Sequence, residues 1–76
     1  MNFKQLNENM TEQAFCIVMA ITSSEGERLV DIADSLGMSD YEVEFVLQQL
    51  IEFNIAKKNG WGRYTLTPEY RESRQG

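Results

Sequence analysis

Apolar residues recur at helical spacing through the middle of the chain. One set has the i, i+3, i+4, i+7 spacing of a buried helical stripe: Leu29, Ile32, Ala33 and Leu36. A second set follows: Val43, Val46, Leu47 and Leu50. Gly37 is placed to end the first helix in a left-handed conformation, and Ser39 with Glu42 has the spacing of a capping box. The pattern therefore predicts a helix-turn-helix whose second helix runs from Asp40 to Phe53.

An earlier helix is predicted to begin after Asn9 or Thr11 and to run to about Thr22. Its core stripe consists of Met10, Ala14, Ile17, Val18 and Ile21. The turn at residues 23–26 is polar and contains glycine, and the next helix is expected to start near Glu27.

Phe15, Cys16 and Met19 form a second apolar patch on this first helix, roughly opposite its core stripe. Three elements could bury this patch: the same patch of a second copy, an N-terminal arm at residues 1–9 through Phe3 and Leu6, or the C-terminal segment through Tyr70. Because a chain this small has a small core, we expect a homodimer in which the patch packs about a two-fold axis.

The C-terminal third predicts a hairpin. Ile55 to Lys58 and Tyr64 to Thr67 have the composition of strands, and Asn59-Gly60 between them is a strong hairpin signal. Thr67-Pro68 resembles a helix cap followed by proline at the first helical position, so a short last helix or a frayed tail is expected over residues 69–76.

The order helix, helix, helix, hairpin, short helix resembles the winged helix-turn-helix family over residues 10–72. The segments that carry the resemblance are Leu29 to Ser39, the apolar Val43, Leu47 and Leu50, then Asn54-Ile55-Ala56, and Tyr64 to Glu69. The last of these looks like the end of the wing in MarR-like and PadR-like regulators.

The resemblance implies a mainly α fold with a small β-hairpin: three helices, a two-stranded wing and a short C-terminal helix. Residues 1–9 would be an arm and residues 73–76 a tail. It also implies DNA binding, with the third helix in the major groove and the wing at the backbone or minor groove.

Charge is unevenly distributed along the 76 residues, whose net charge is −5. Residues 1–54 have a net charge of −8, and residues 55–76 have a net charge of +3. The acidic part would repel phosphate while the basic end approaches it; alternatively, both are ordinary solvated surfaces.

The outward face of the third helix departs from the DNA-binding pattern. It is predicted to contain Tyr41, Glu44, Phe45, Gln48, Gln49 and Glu52, called here the acidic-aromatic face. Base edges and phosphates are usually contacted by Arg, Lys, Asn or Gln, and only the two glutamines qualify. Exposed aromatics in a polar surround are typical interface anchors, which favours a protein partner, and the acids around them suit a basic one. The alternative is that the two aromatics merely shield the helix.

The hairpin has the opposite character. Lys57, Lys58 and Arg63 flank Trp61, a combination that suits weak contact with a nucleic-acid backbone or stacking on a base. The alternative is a solvated hairpin whose tryptophan packs back onto the core.

Other functions have little support in the composition. The chain has no His, one Cys and no glycine-rich phosphate loop, so we expect neither an enzyme nor a cofactor. Cys16 is expected to be an unreactive structural cysteine. Asp31 and Asp34 are expected to lie on a solvated helix face rather than to form a metal site. There is no run of 18 apolar residues and no secretion signal, which predicts a cytoplasmic protein.

The sequence thus predicts a small regulatory module of transcription or replication control that acts by protein recognition through the third helix. The main alternative is a regulator that contacts DNA through the basic wing. A purely structural or oligomerisation role is a third hypothesis.

Overall fold

The predicted stripes lie on three helices that enclose one core, with a small sheet at its edge. The computed structural model describes residue 8, residues 10–23 and residues 25–75. The elements are α1 (Glu12–Ala20), β1 (Glu27–Arg28), α2 (Leu29–Leu36), α3 (Asp40–Glu52), β2 (Ala56–Lys58), β3 (Arg63–Leu66) and α4 (Pro68–Gln75). The mainly helical architecture matches the prediction.

Side-chain caps fix where the helices begin. The Thr11 hydroxyl accepts a hydrogen bond from the Ala14 amide at 3.1 Å, and the Ser39 hydroxyl accepts one from the Glu42 amide at 3.1 Å. Each satisfies a backbone donor that has no partner within its helix. Gly37 ends α2 with φ 65°, the left-handed conformation predicted for it. The helix-turn-helix is therefore specified by local sequence on both sides of its turn.

The core is built from the inward stripes of all three helices together with the sheet. Its fully buried members with the largest side chains are Tyr70, Ile17, Ile21, Ile32, Leu47, Ile55, Val18 and Val43. Met10 and Ala14, which belong to the predicted α1 stripe, are partly buried against this cluster. The helical phase predicted for α1, α2 and α3 is confirmed, because each stripe faces inward.

The sheet has three strands in the order β1-β3-β2, all antiparallel. The predicted two-stranded hairpin is present as β2 and β3. The expected helix start near Glu27 is wrong, because Glu27–Arg28 forms β1, a third strand of the same sheet. Its residues pair with β3, Glu27 opposite Tyr64 and Arg28 opposite Arg63. A two-residue strand shows no alternation of its own, so its partner far along the chain determines it.

The first helix ends earlier than predicted, whereas the last helix lies in the segment predicted for it. α1 ends at Ala20 rather than near Thr22, whose hydroxyl instead donates to the Met19 carbonyl at 3.1 Å. α4 spans Pro68–Gln75, where the sequence predicts a short last helix or a frayed tail. The predicted arm at residues 1–9, with Phe3 and Leu6, lies outside the described residues except for Glu8.

Thr67 joins three parts of the fold. Its amide donates to the Ile55 carbonyl at 2.9 Å, and its hydroxyl donates to the Asn54 carbonyl at 2.7 Å. The same hydroxyl accepts a hydrogen bond from the Tyr70 amide at 3.2 Å and so begins α4. Asn54 itself has φ 60°, a left-handed conformation that is common just after a helix ends. The end of α3, the sheet and α4 are thus connected through one buried side chain.

Candidate interaction surfaces

The acidic-aromatic face of α3 is exposed along its whole length. The inward stripe of α3 is buried, and its six outward members, Tyr41, Glu44, Phe45, Gln48, Gln49 and Glu52, all face solvent. Tyr41 is 80% exposed and Phe45 is 59% exposed. These two rings are one helical turn apart and lie next to each other on the surface. The structure brings together every residue predicted for this surface.

The charge of this surface is entirely negative. Asp40 and Glu42 lie in the first turn of α3, and the last turn contains no basic residue. Within the described part of the chain, the carboxylates of Glu44 and Glu52 have neither a hydrogen bond nor an ion pair. These charges are therefore available to a partner that carries cations.

The hairpin tip is well ordered by one asparagine side chain. The Asn59 Oδ1 atom accepts hydrogen bonds from the Trp61 amide at 2.9 Å and the Arg63 amide at 3.0 Å. The backbone turn is closed by a bond from the Gly62 amide to the Asn59 carbonyl at 3.1 Å, with Gly62 at φ 77°. The hairpin is where the sequence predicts it, but Gly62, and not Asn59-Gly60, adopts the positive φ that lets the strands meet. Trp61 at the tip is 85% exposed and does not pack back on the core.

The predicted wing residues divide between the two faces of the sheet. Directly opposite residues of antiparallel strands share a face, and neighbours along a strand alternate. Lys58 lies opposite the buried Tyr64, with its Nζ 5.6 Å from the centroid of the Tyr64 ring. Lys57 lies opposite Thr65 and therefore shares the other face with Arg63. Lys57, Lys58, Trp61 and Arg63 thus do not form one surface.

Arg28 joins Lys57 and Arg63 on their face of the sheet, because it pairs with Arg63 across β1 and β3. Sequence reasoning missed this residue, since Arg28 was expected near the start of α2. Its position in the sequence could have indicated the strand, because Gly26 ends the preceding turn and two residues remain before the apolar stripe begins at Leu29. Those two residues form the strand.

The apolar patch of α1 faces solvent in this chain. Phe15 and Met19 are each about half exposed, and Cys16 is an exposed free thiol. Tyr70, one of the predicted covers, is 1% exposed within the core and therefore does not cover the patch. The patch borders a shallow groove lined by Glu12, Gln13, Cys16, Leu36 and Met38.

Among the described residues, no group of three or more Asp, Glu, Cys or His side chains is placed to hold a metal ion. Asp31 and Asp34 are both exposed on α2, as a solvated face requires. No helix in the described part of the chain combines the length and the hydropathy needed to cross a membrane.

No protein-family model matches the chain, and no curated protein sequence is similar to it. Among solved structures, the chain is similar to the crystal structure of T. acidophilum IdeR, with 28% sequence identity and a TM-score of 0.64. The similarity covers 80% of this chain but only 30% of the IdeR chain. IdeR is a winged-helix regulator, so this likeness confirms the winged helix-turn-helix fold. The MarR-like or PadR-like relationship stays a prediction.

Proposed function

We propose that the chain is a winged-helix regulatory module that recognises a basic protein partner through the acidic-aromatic face of α3. The observation that supports this most is the exposure of Tyr41 and Phe45 beside carboxylates that have no cation on their own helix. Burying two aromatic rings gives a binding energy that isolated charges do not, and the carboxylates favour a partner of opposite charge.

The regulatory part of the proposal draws on the likeness to IdeR. Because that likeness covers less than a third of the IdeR chain, it concerns the winged-helix part alone. In a winged helix, the third helix is the element presented for recognition. Here the same element presents carboxylates that phosphate would repel. The geometry therefore favours a protein over a duplex as the ligand of α3.

The chain offers a matched pair of variants for the test. Phe45 and Phe53 are both exposed aromatics, 59% and 49%, but only Phe45 belongs to the acidic-aromatic face. The wild type, Phe45→Ala and Phe53→Ala serve as baits in an extract of the cells that make the protein. A protein retained by the wild type and Phe53→Ala but lost by Phe45→Ala is then purified and titrated calorimetrically.

Phe45→Ala is expected to weaken that complex by about 2 kcal/mol or more, the scale of an interface hot spot. Glu44→Lys should weaken it as well, with a loss that shrinks as salt is raised. A partner that binds equally to all three baits, or that binds Glu44→Lys more tightly, would show that α3 is not the recognition surface.

A second candidate function is DNA contact through the wing. The exposed Trp61 and the cationic sheet face with Lys57 and Arg63 favour it. With so few cations, the electrostatic contribution is small and depends strongly on salt. This function uses a different surface from α3, so the two candidates are tested by different variants.

A further inference from the structure

A cleft lies between the hairpin tip and the turn that precedes β1. It is lined by Glu25, Arg28, Asn59, Trp61 and Arg63. Two of these residues, Arg28 and Glu25, belong to the acidic part of the chain and were not expected near the wing. The pairing of β1 with β3 places Arg28 beside Arg63 in this cleft.

Arg28 and Arg63 are directly opposite each other across β1 and β3. Such residues share a face, with Cβ atoms about 5 Å apart, and like charges at this position destabilise the sheet. Neither guanidinium has a hydrogen bond or an ion pair within the described residues. Arg71 differs, since its guanidinium donates to the Ser23 carbonyl and to the Thr65 hydroxyl, both at 3.0 Å. Arg71 thus stabilises the fold, whereas Arg28 and Arg63 repel each other and have N–H groups without hydrogen-bond partners among the described residues.

The close approach of these two strands depends on Gly26. This residue is buried with φ 81°, and a Cβ at its position would lie 2.7 Å from the Tyr64 carbonyl oxygen. A side chain there would push the turn away from β3 and separate Arg28 from Arg63. The backbone of the fold therefore holds the two arginines next to each other.

Trp61 supplies a different kind of contact at the same cleft. Its indole is 85% exposed while its backbone amide is held by Asn59 Oδ1. An aromatic ring on an ordered backbone loses little freedom on binding and offers a flat face for stacking. The cleft thus combines one stacking surface with two guanidinium groups, which suit the geometry of phosphate oxygens.

We propose that this cleft binds single-stranded nucleic acid, with one unstacked base on Trp61 and the adjacent phosphodiester between Arg28 and Arg63. The proposal rests on the second candidate function and narrows it. Phosphate between the two arginines would relieve their repulsion. The Glu25 carboxylate at the rim opposes additional phosphates, and residues 1–54 have a net charge of −8. A single strand brings fewer phosphates to this surface than a duplex and has bases free to stack.

Trp61 is the only tryptophan in the chain, so its fluorescence reports on this cleft alone. The full chain is titrated at low salt with a short oligothymidylate, with an abasic strand of the same length, and with a hairpin duplex. We expect the oligothymidylate to quench Trp61 and to bind more tightly than the other two. Equal binding of the abasic strand, or no quenching on binding, would overturn the stacking contact and with it the proposal.

Arg28→Gln tests the phosphate contact, and Lys58→Gln is its matched control. Both remove one positive charge from an exposed side chain, but Lys58 lies on the opposite face of the sheet, over Tyr64. Arg28→Gln should weaken binding of the oligothymidylate about tenfold, since hydrogen bonds between charged groups contribute on that order. Lys58→Gln should weaken it less than about twofold, as expected for a screened distant charge. Equal losses would mean that only the overall charge matters, and would overturn the proposal.

The outcome for the duplex separates this proposal from the function on which it rests. Duplex binding that Lys57→Glu abolishes, with no binding of the oligothymidylate, would keep the wing as a DNA contact and overturn the single-strand site. Failure of the wild type to bind either the strand or the duplex would overturn both. Urea unfolding of Arg28→Gln verifies the fold, and we expect no loss of stability because a like-charge pair is removed.

Discussion

The third helix and the hairpin follow one another in the chain, yet they present opposite chemistry. α3 exposes aromatic rings among carboxylates, whereas the sheet exposes one indole beside Lys57, Arg63 and Arg28. The inward residues of both elements belong to the same core. The fold therefore determines which positions face outward, and the residues at those positions determine the partner. Under the two proposals above, the third helix and the wing would bind two different ligands.

The largest expected effect separates the two sides of α3. Leu47 is fully buried, so Leu47→Ala should lower the free energy of unfolding by about 2–5 kcal/mol. Phe45→Ala, on the exposed side, should change it by less than about 0.5 kcal/mol. Urea denaturation followed by circular dichroism measures both. A large loss of stability in Phe45→Ala would make Phe45 a structural residue and remove it as an interface anchor.

Assembly of the chain through its α1 patch would decide whether both surfaces stay free. We propose that a second copy covers Phe15, Cys16 and Met19. Met19→Glu should then yield monomers, because an unpaired charge buried at the seam costs several kcal/mol. Sedimentation at tens of micromolar, the range suited to a modest dimer, distinguishes the two species. A clean monomer for the wild type would rule the dimer out.

The pairing of β1 with β3 depends on Gly26. Gly26→Ala should destabilise the chain by about 1–3 kcal/mol, since it combines a strained φ with a clash against β3. Gly60 is the control: no atom lies within 4 Å of an added Cβ, and its φ is not positive. The melting temperatures of Gly26→Ala and Gly60→Ala are measured by thermal unfolding. Equal melting temperatures would show that β1 tolerates a side chain at this turn.

The smallest expected effect concerns duplex DNA. At physiological salt we expect no binding tighter than the non-specific range of about 10⁻⁴ to 10⁻⁶ M. At low salt, Lys57→Glu or Arg63→Glu should abolish the residual binding, and Gln48→Ala should change it little. Fluorescence anisotropy with a mixed-sequence duplex provides the measurement. Binding on the order of 10⁻⁸ M, or a larger loss from Gln48→Ala, would mean that α3 reads bases after all.

Local signals account for what the sequence predicts well. The helix-turn-helix has its own caps at Gly37 and Ser39, and the apolar spacing of α3 also identifies the outward residues of its exposed face. β1 has no such signal, because its two residues are defined only by pairing with β3. For this reason the sequence predicts Lys57 and Arg63 as wing cations but not Arg28. The division of Lys57 and Lys58 between two faces likewise requires the register of the sheet.

Thr67 affects how the C-terminal part of the molecule unfolds locally. Its hydroxyl and amide connect α4 to the residues that follow α3, and Tyr70 below it is buried in the core. The C-terminal helix therefore cannot fray from its first turn without breaking bonds that also hold the sheet. Amide hydrogen exchange should show Tyr70 opening together with Ile55 in one cooperative unit. A protein fused behind α4 would then be attached to a helix that opens together with the sheet, and a force applied there would reach the core directly.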